Sequence, residues 1–185
     1  MGWRWTWAAV GLLGTALIFH TFAASQEPSG FDVQPWPTGQ ASPAFDAIDM
    51  QGLRWRLADL RGQALVINFW ASWCEPCRAE MPSLEKLASQ YPGRLRVLTI
   101  NFKETPRTVA AFKERLPMQL PVVIDAHGAL AKTYGVRIFP STVLIDSSGK
   151  VRSVVRGSLD WSGPQGRSLV GPLLTKHPPN ADVSE

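Results

Sequence analysis

The chain has 185 residues, 45% hydrophobic and 18% charged, with 15 glycines and 15 prolines. That usage excludes collagen-like, low-complexity and wholly disordered chains, and the length suits one domain with short extensions. The balance of 19 Lys and Arg against 15 Asp and Glu is mildly basic, but residues such as Arg54, Arg61, Arg94 and Arg107 are scattered and form no nucleic-acid patch.

In chain order, one positive charge at Arg4 precedes an apolar run over Trp5–Ala24, and Ala23-Ala24-Ser25 supplies small residues. A charged start, an apolar stretch and small residues describe a secretory leader over 1–25. The run is also long enough to span a bilayer, so a cleaved signal and a retained membrane tether through residues 5–24 both stand. Either way the chain is expected to be exported, to the periplasm or the outer face of the cytoplasmic membrane. Residues 26–40, rich in Pro and Gly, read as a linker, 41–176 as the domain, and 177–185, opening on His177-Pro178-Pro179, as a frayed tail.

Within the domain, Ala44–Met50 and Leu53–Leu57 around Gln51-Gly52 suggest a hairpin. Ala64–Trp70, apolar except for Asn68, reads as a strand buried on both faces. Cys77, Met81, Leu84, Leu87 and Ala88 recur at helical spacing and predict a helix over 75–90. A strand at 96–100 follows, then a helix opened by Thr105-Pro106, a short strand at 121–125 and a short helix ending at Gly135. Strands at 141–145 and 150–156 flank the turn Asp146-Ser147-Ser148-Gly149, and a last helix near 163–176 must break at Gly171-Pro172. The fold class is α/β, a mixed central sheet flanked by helices, with an N-terminal β-hairpin extension.

The chemistry lies in Trp73-Cys74-Glu75-Pro76-Cys77-Arg78, between a buried strand and a helix. Unpaired N–H groups and the positive end of the helix dipole stabilise an anion there, and the thiolate is the reactive form of cysteine. Cys77, nearly one turn on, shares a face with Cys74, so the two sulfurs can close into a disulfide. A zinc site needs four ligands and c-type haem attachment needs His where Arg78 stands; neither fits, and no metal is expected.

The run Asn68-Phe69-Trp70-Ala71-Ser72-Trp73-Cys74-Glu75-Pro76-Cys77-Arg78-Ala79-Glu80-Met81-Pro82 resembles the active-site segment of the TlpA/ResA-like, DsbE-related thioredoxin family. Asp59-Leu60-Arg61-Gly62, Tyr134-Gly135-Val136 and Phe139-Pro140-Ser141-Thr142 extend the likeness over roughly Ala41–Gly157. The resemblance implies a thioredoxin-like fold and a thiol-disulfide oxidoreductase whose redox centre is the Cys74–Cys77 disulfide, with no other cofactor. Cys74 would attack and Cys77 resolve. Pro140 would be the cis-proline facing the pair, with Phe139, Trp73, Glu75 and Pro76 contacting substrate on a Trp-rich surface. General thioredoxins carry a titratable Asp where Asn68 stands; Glu80, one turn after Cys77, would replace it as the proton acceptor. The competing reading of Glu80 is a surface charge.

The function expected is reduction of disulfides in exported client proteins, cytochrome c or copper-site assembly clients among them, with a membrane thiol donor supplying electrons. A thiol oxidase of the same fold and a Cu(I)-delivery module are the alternatives. A peroxiredoxin would place Thr where Ala71 stands.

Overall fold

A computed structural model describes residues 1–2 and 30–175. The leader from residue 3 on, with its tether at 5–24, and the tail at 177–185 lie outside the described residues.

The centre is β4 (Ala64–Trp70), buried at every position. Its alternation divides two cores. Ala64, Val66 and Trp70 enter the cluster beneath α1 (Glu75–Gln90), while Leu65, Ile67 and Phe69 enter the cluster on the opposite face. Asn68 has the parity of Val66 and Trp70, so a polar side chain stands in the α1-side layer.

On one side of β4 run β5 (Leu95–Phe102) and β6 (Val122–Asp125), both parallel to it. On the other run β7 (Ser141–Ile145), β8 (Val151–Gly157) and β1 (Phe31–Pro35), each antiparallel to its neighbour. The sheet order is therefore β1-β8-β7-β4-β5-β6. The α1-side core is closed by α2 (Pro106–Arg115) and α4 (Pro164–Val170), the opposite core by α3 (Ala129–Thr133) and the hairpin of β2 (Asp46–Ile48) and β3 (Arg54–Arg56). As expected, the sheet is mixed, flanked by helices on both sides and preceded by a hairpin.

One boundary differs. The linker expected over 26–40 contains β1, which pairs with β8 from Phe31↔Gly157 to Pro35↔Ser153. Phe31 and Val33 pack on the core while Asp32 and Gln34 face solvent, a short period-two pattern hidden among prolines and glycines. Pro35 is tolerated because β1 is an edge strand. At Gly157, φ is +97° and an added Cβ would lie 2.9 Å from the Phe31 Cα, so the pairing needs glycine there. The last helix stops at Val170 and continues as a 3₁₀ turn, Gly171–Leu174, where Pro172 removes an N–H.

Candidate functional site

Cys74 is the N-cap of α1, and its Sγ accepts a hydrogen bond from the Cys77 backbone N–H at 3.3 Å. Glu75 and Pro76 form the exposed first turn, where proline lacks only an N–H that the helix does not use. Cys74 and Cys77 are joined in a disulfide with Cα atoms 5.3 Å apart. Their exposure is unequal: Cys74 keeps 6% of its surface and Cys77 none. What exposure the pair has belongs to Cys74, held where helix-end N–H groups favour a thiolate.

Beside it, Trp73 is 65% exposed and meets the Phe139 ring edge-on at 6.0 Å. Phe139 in turn stacks on Phe102 at 4.8 Å, and the Phe139–Pro140 bond is cis. The ring contact brings the Phe139–Pro140 loop to the cysteine segment. The Trp-rich surface of the sequence reading is narrower than expected: Trp70 and Trp161 are fully buried, so the exposed patch is Trp73 with Ile138 and the edges of Phe139 and Phe102.

Glu80 is a core residue, 2% exposed, which overturns the surface-charge reading. Its Oε1 accepts from Asn68 Nδ2 at 2.7 Å, and its Oε2 from the Leu159 N–H and Trp161 Nε1, each at 3.2 Å. Burial pushes its carboxyl up to about 7, against the three donors, which pull the other way. Asn68 also donates to Thr142 Oγ1 at 3.0 Å, while its own Oδ1 is buried without a partner. Turned over, the amide would offer that oxygen to a protonated Glu80, so a non-titrating residue can serve both protonation states.

Two groups of partners escaped the sequence reading. Leu159 and Trp161 approach Glu80 from the segment after β8, about eighty residues away in sequence; a tryptophan near the chain end carries no sign of such a contact. Glu104 holds the loop that leads into Cys74: its carboxylate accepts from the Ser72 N–H at 2.7 Å, the Ser72 hydroxyl at 2.5 Å and Asn101 Nδ2 at 2.7 Å. Lys103, at φ 56°, turns the chain between Asn101 and Glu104. The only available hint was the cluster of polar residues just after β5. Among the described residues no group of three or more His, Cys, Asp and Glu could hold a metal ion, and no helix is long and apolar enough to cross a membrane.

The family model described as AhpC/TSA matches residues 38–154. The thiol-disulfide oxidoreductase ResA of Geobacillus thermodenitrificans (strain NG80-2) is 37% identical over 122 residues, 65% of this chain and 70% of the relative. The thioredoxin-like protein YneN of Bacillus subtilis (strain 168) is 35% identical over 124 residues, 65% and 72% of the two chains. Among solved structures, one described as a thiol:disulfide interchange protein DsbE from Chlorobium tepidum superposes with a TM-score of 0.67 at 27% identity, covering 74% of this chain and 97% of that one. A secreted Mycobacterium tuberculosis disulfide oxidoreductase homologous to E. coli DsbE gives 0.56 at 26% identity, covering 70% and 93%. With a helix-capping cysteine pair on this sheet and these relatives, the chain belongs to the AhpC/TSA family and is a thiol-disulfide oxidoreductase of the ResA/DsbE type.

Proposed function

We propose that the protein is an exported reductant of disulfides in other exported proteins. The observation that carries this reading is the layering at the N-terminus of α1. Cys74, the less buried of the pair, caps the helix, a sealed Cys77 lies one turn in, and a carboxyl raised to about 7 lies one turn further.

With both cysteines reduced, the Cys74 thiolate attacks one sulfur of a client disulfide. The client S–S bond breaks, its second sulfur leaves as a thiolate, and a mixed disulfide forms. Cys77 then attacks Cys74 Sγ, closes the Cys74–Cys77 disulfide and releases the client's first sulfur. The proton of Cys77 passes to Glu80 and from there to solvent. Two electrons have moved to the client, and a membrane thiol donor restores the pair. The redox centre is the disulfide itself, with no added cofactor. Trp73, Glu75, Pro76 and Phe139 form the rim a client crosses, the buried Pro140 sets the backbone behind it, and the backbone at Phe139 offers an edge for an extended segment. Export is supported by the leader pattern of residues 1–25 and by the secreted relative.

The test of roles is trapping. Cys77→Ala accumulates covalent client complexes in cells, while Cys74→Ala gives none; equal trapping by both variants would overturn the assignment. Direction is read from the reduction potential of the pair equilibrated against glutathione or dithiothreitol. A value near or below about −220 mV fits a reductant, whereas one near about −120 mV makes the protein an oxidase.

A further inference from the structure

A cavity of about 690 Å³ opens beside the disulfide, between the first turn of α1 and the length of α2, and takes no part in the exchange steps. Residue spacing makes its walls. On α2, Arg107, Ala111 and Arg115 recur at i, i+4 and i+8, so two guanidiniums flank a methyl-sized gap on one face. Across the gap α1 presents Arg78 next to Ala79, again an arginine beside a small residue, and Phe112 and Leu116 supply an apolar floor.

The cations are unanswered. Among the described residues, Arg78, Arg107 and Arg115 join none of the ion pairs, which are Arg54–Asp46, Arg56–Asp59 and Arg152–Asp146. Of the nearby acids, Glu75 lines the same cavity, and Glu104 is occupied by Ser72 and Asn101. Three exposed guanidiniums therefore outnumber the two carboxylates at this end of the groove, Glu75 in its lining and Glu104 behind Ser72. The cavity reaches Ser72 and Glu75, which bracket Trp73 and Cys74, so a chain seated in it passes within a few residues of the attacking sulfur. Next to Phe139 in sequence, Ile138 lines a second cavity of about 500 Å³ with Arg137 and Arg156, again cations beside an apolar side chain. Positive charge thus also lies near the Phe139 ring that meets Trp73.

We propose that the α1–α2 groove is a client subsite for an acidic peptide segment, whose carboxylates pair with Arg78, Arg107 and Arg115 while an apolar side chain covers Phe112 and Leu116. The inference rests on the exchange reading above and adds to it the chemistry of the client: its reacting cysteine lies next to Asp or Glu.

The test uses the full chain and two synthetic peptides with the same internal disulfide, one flanked by Glu-Leu-Glu and the other by Gln-Leu-Gln. Wild-type protein reduces the acidic peptide about tenfold more efficiently in kcat/KM, as two exposed charge pairs allow. That preference shrinks with added salt. It is lost in Arg107→Gln/Arg115→Gln and kept in Arg107→Lys/Arg115→Lys, which separates charge from folding. Equal turnover of both peptides by the wild type overturns the subsite and leaves the exchange reading standing. Turnover of neither peptide overturns both. If the peptides are equal and the two arginines instead govern salt-sensitive binding to phosphatidylglycerol–phosphatidylcholine vesicles, the groove faces lipid and the peptide subsite is overturned.

Discussion

Glu80 and Asp146 are equally hidden, each 2% exposed, yet their carboxyls are driven in opposite directions. Burial opposes charge at both. At Glu80 burial wins and the group rises to about 7, because desolvation at its depth exceeds what three neutral donors return. At Asp146 burial is outweighed by bonds from the Ser148 hydroxyl, the Lys150 N–H and the Arg152 guanidinium, and the carboxyl is held below its ordinary value. The Arg152 Nε–Oδ2 distance is 2.6 Å, and that side chain remains 42% exposed, so the pair keeps contact with solvent. Asp146 sits nearer solvent, so less desolvation opposes its charge, and it adds the Arg152 cation to its neutral donors; Glu80 lies deeper and has none. A carboxylate with a cation is locked in one charge state and serves as a turn anchor, joining Ser148, Lys150 and Arg152 around the β7–β8 hairpin. One without a cation, next to a redox pair, is free to gain and lose a proton near neutrality.

The largest expected effect comes from removing that freedom. Glu80→Gln slows client release on the order of a hundredfold at pH 8, the scale of a lost general base. The rise in wild-type rate through pH 7 disappears with it. A variant that keeps both the rate and the pH step, measured by stopped-flow decay of the mixed disulfide, would mean that Cys77 loses its proton by another route.

The same contrast sets opposite pH windows for stability. The folded protein holds the Glu80 proton up to about pH 7, whereas the unfolded chain releases it near 4.5. Between these values the folded state binds more protons, so stability falls as pH rises through the window, by about 3 kcal/mol, and is level above it. Urea unfolding across this range shows the slope in the wild type and loses it in Glu80→Gln. Asp146 acts the other way. Its contribution is complete above the ordinary aspartate value of 3.8 and is lost as pH falls below it. Arg152→Gln turns Asp146 into a buried carboxylate without a cation and costs about 2 kcal/mol at pH 7, with exchange rates unchanged. If stability is unaffected, the neutral donors alone hold the charge, and the distinction drawn between the two sites fails.

Much of this was legible before the fold. The helix over 75–90, the hairpin around Gln51-Gly52, the buried strand at Ala64–Trp70 and the break at Gly171-Pro172 all follow from periodicity and turn chemistry. Those signals are local. What stayed hidden was assembled across the sheet. β1 was masked because five alternating residues among prolines look like a linker until β8 is beside them. The burial of Glu80 was undecided, since its helix position suits either solvent or core, and Leu159 and Trp161 arrive from the far end of the domain to decide it.

Glu104 tests whether a carboxylate near the disulfide must be buried to matter. It is not fully buried, yet three donors converge on it, two of them from Ser72, two residues before Cys74. Its work is positional: it fixes the loop that sets Trp73 on the rim and Cys74 at the helix cap. A glutamine there keeps one acceptor oxygen and turns an NH₂ toward groups that also donate. Glu104→Gln is therefore expected to cost about 1 kcal/mol of stability, and to raise KM for a disulfide peptide a few-fold with kcat and the pH step near 7 retained. A fall in kcat together with loss of that step would give Glu104 a share in proton transfer and place it with Glu80. Retention of both would leave one carboxylate to move the proton and another to hold the loop that presents the sulfur.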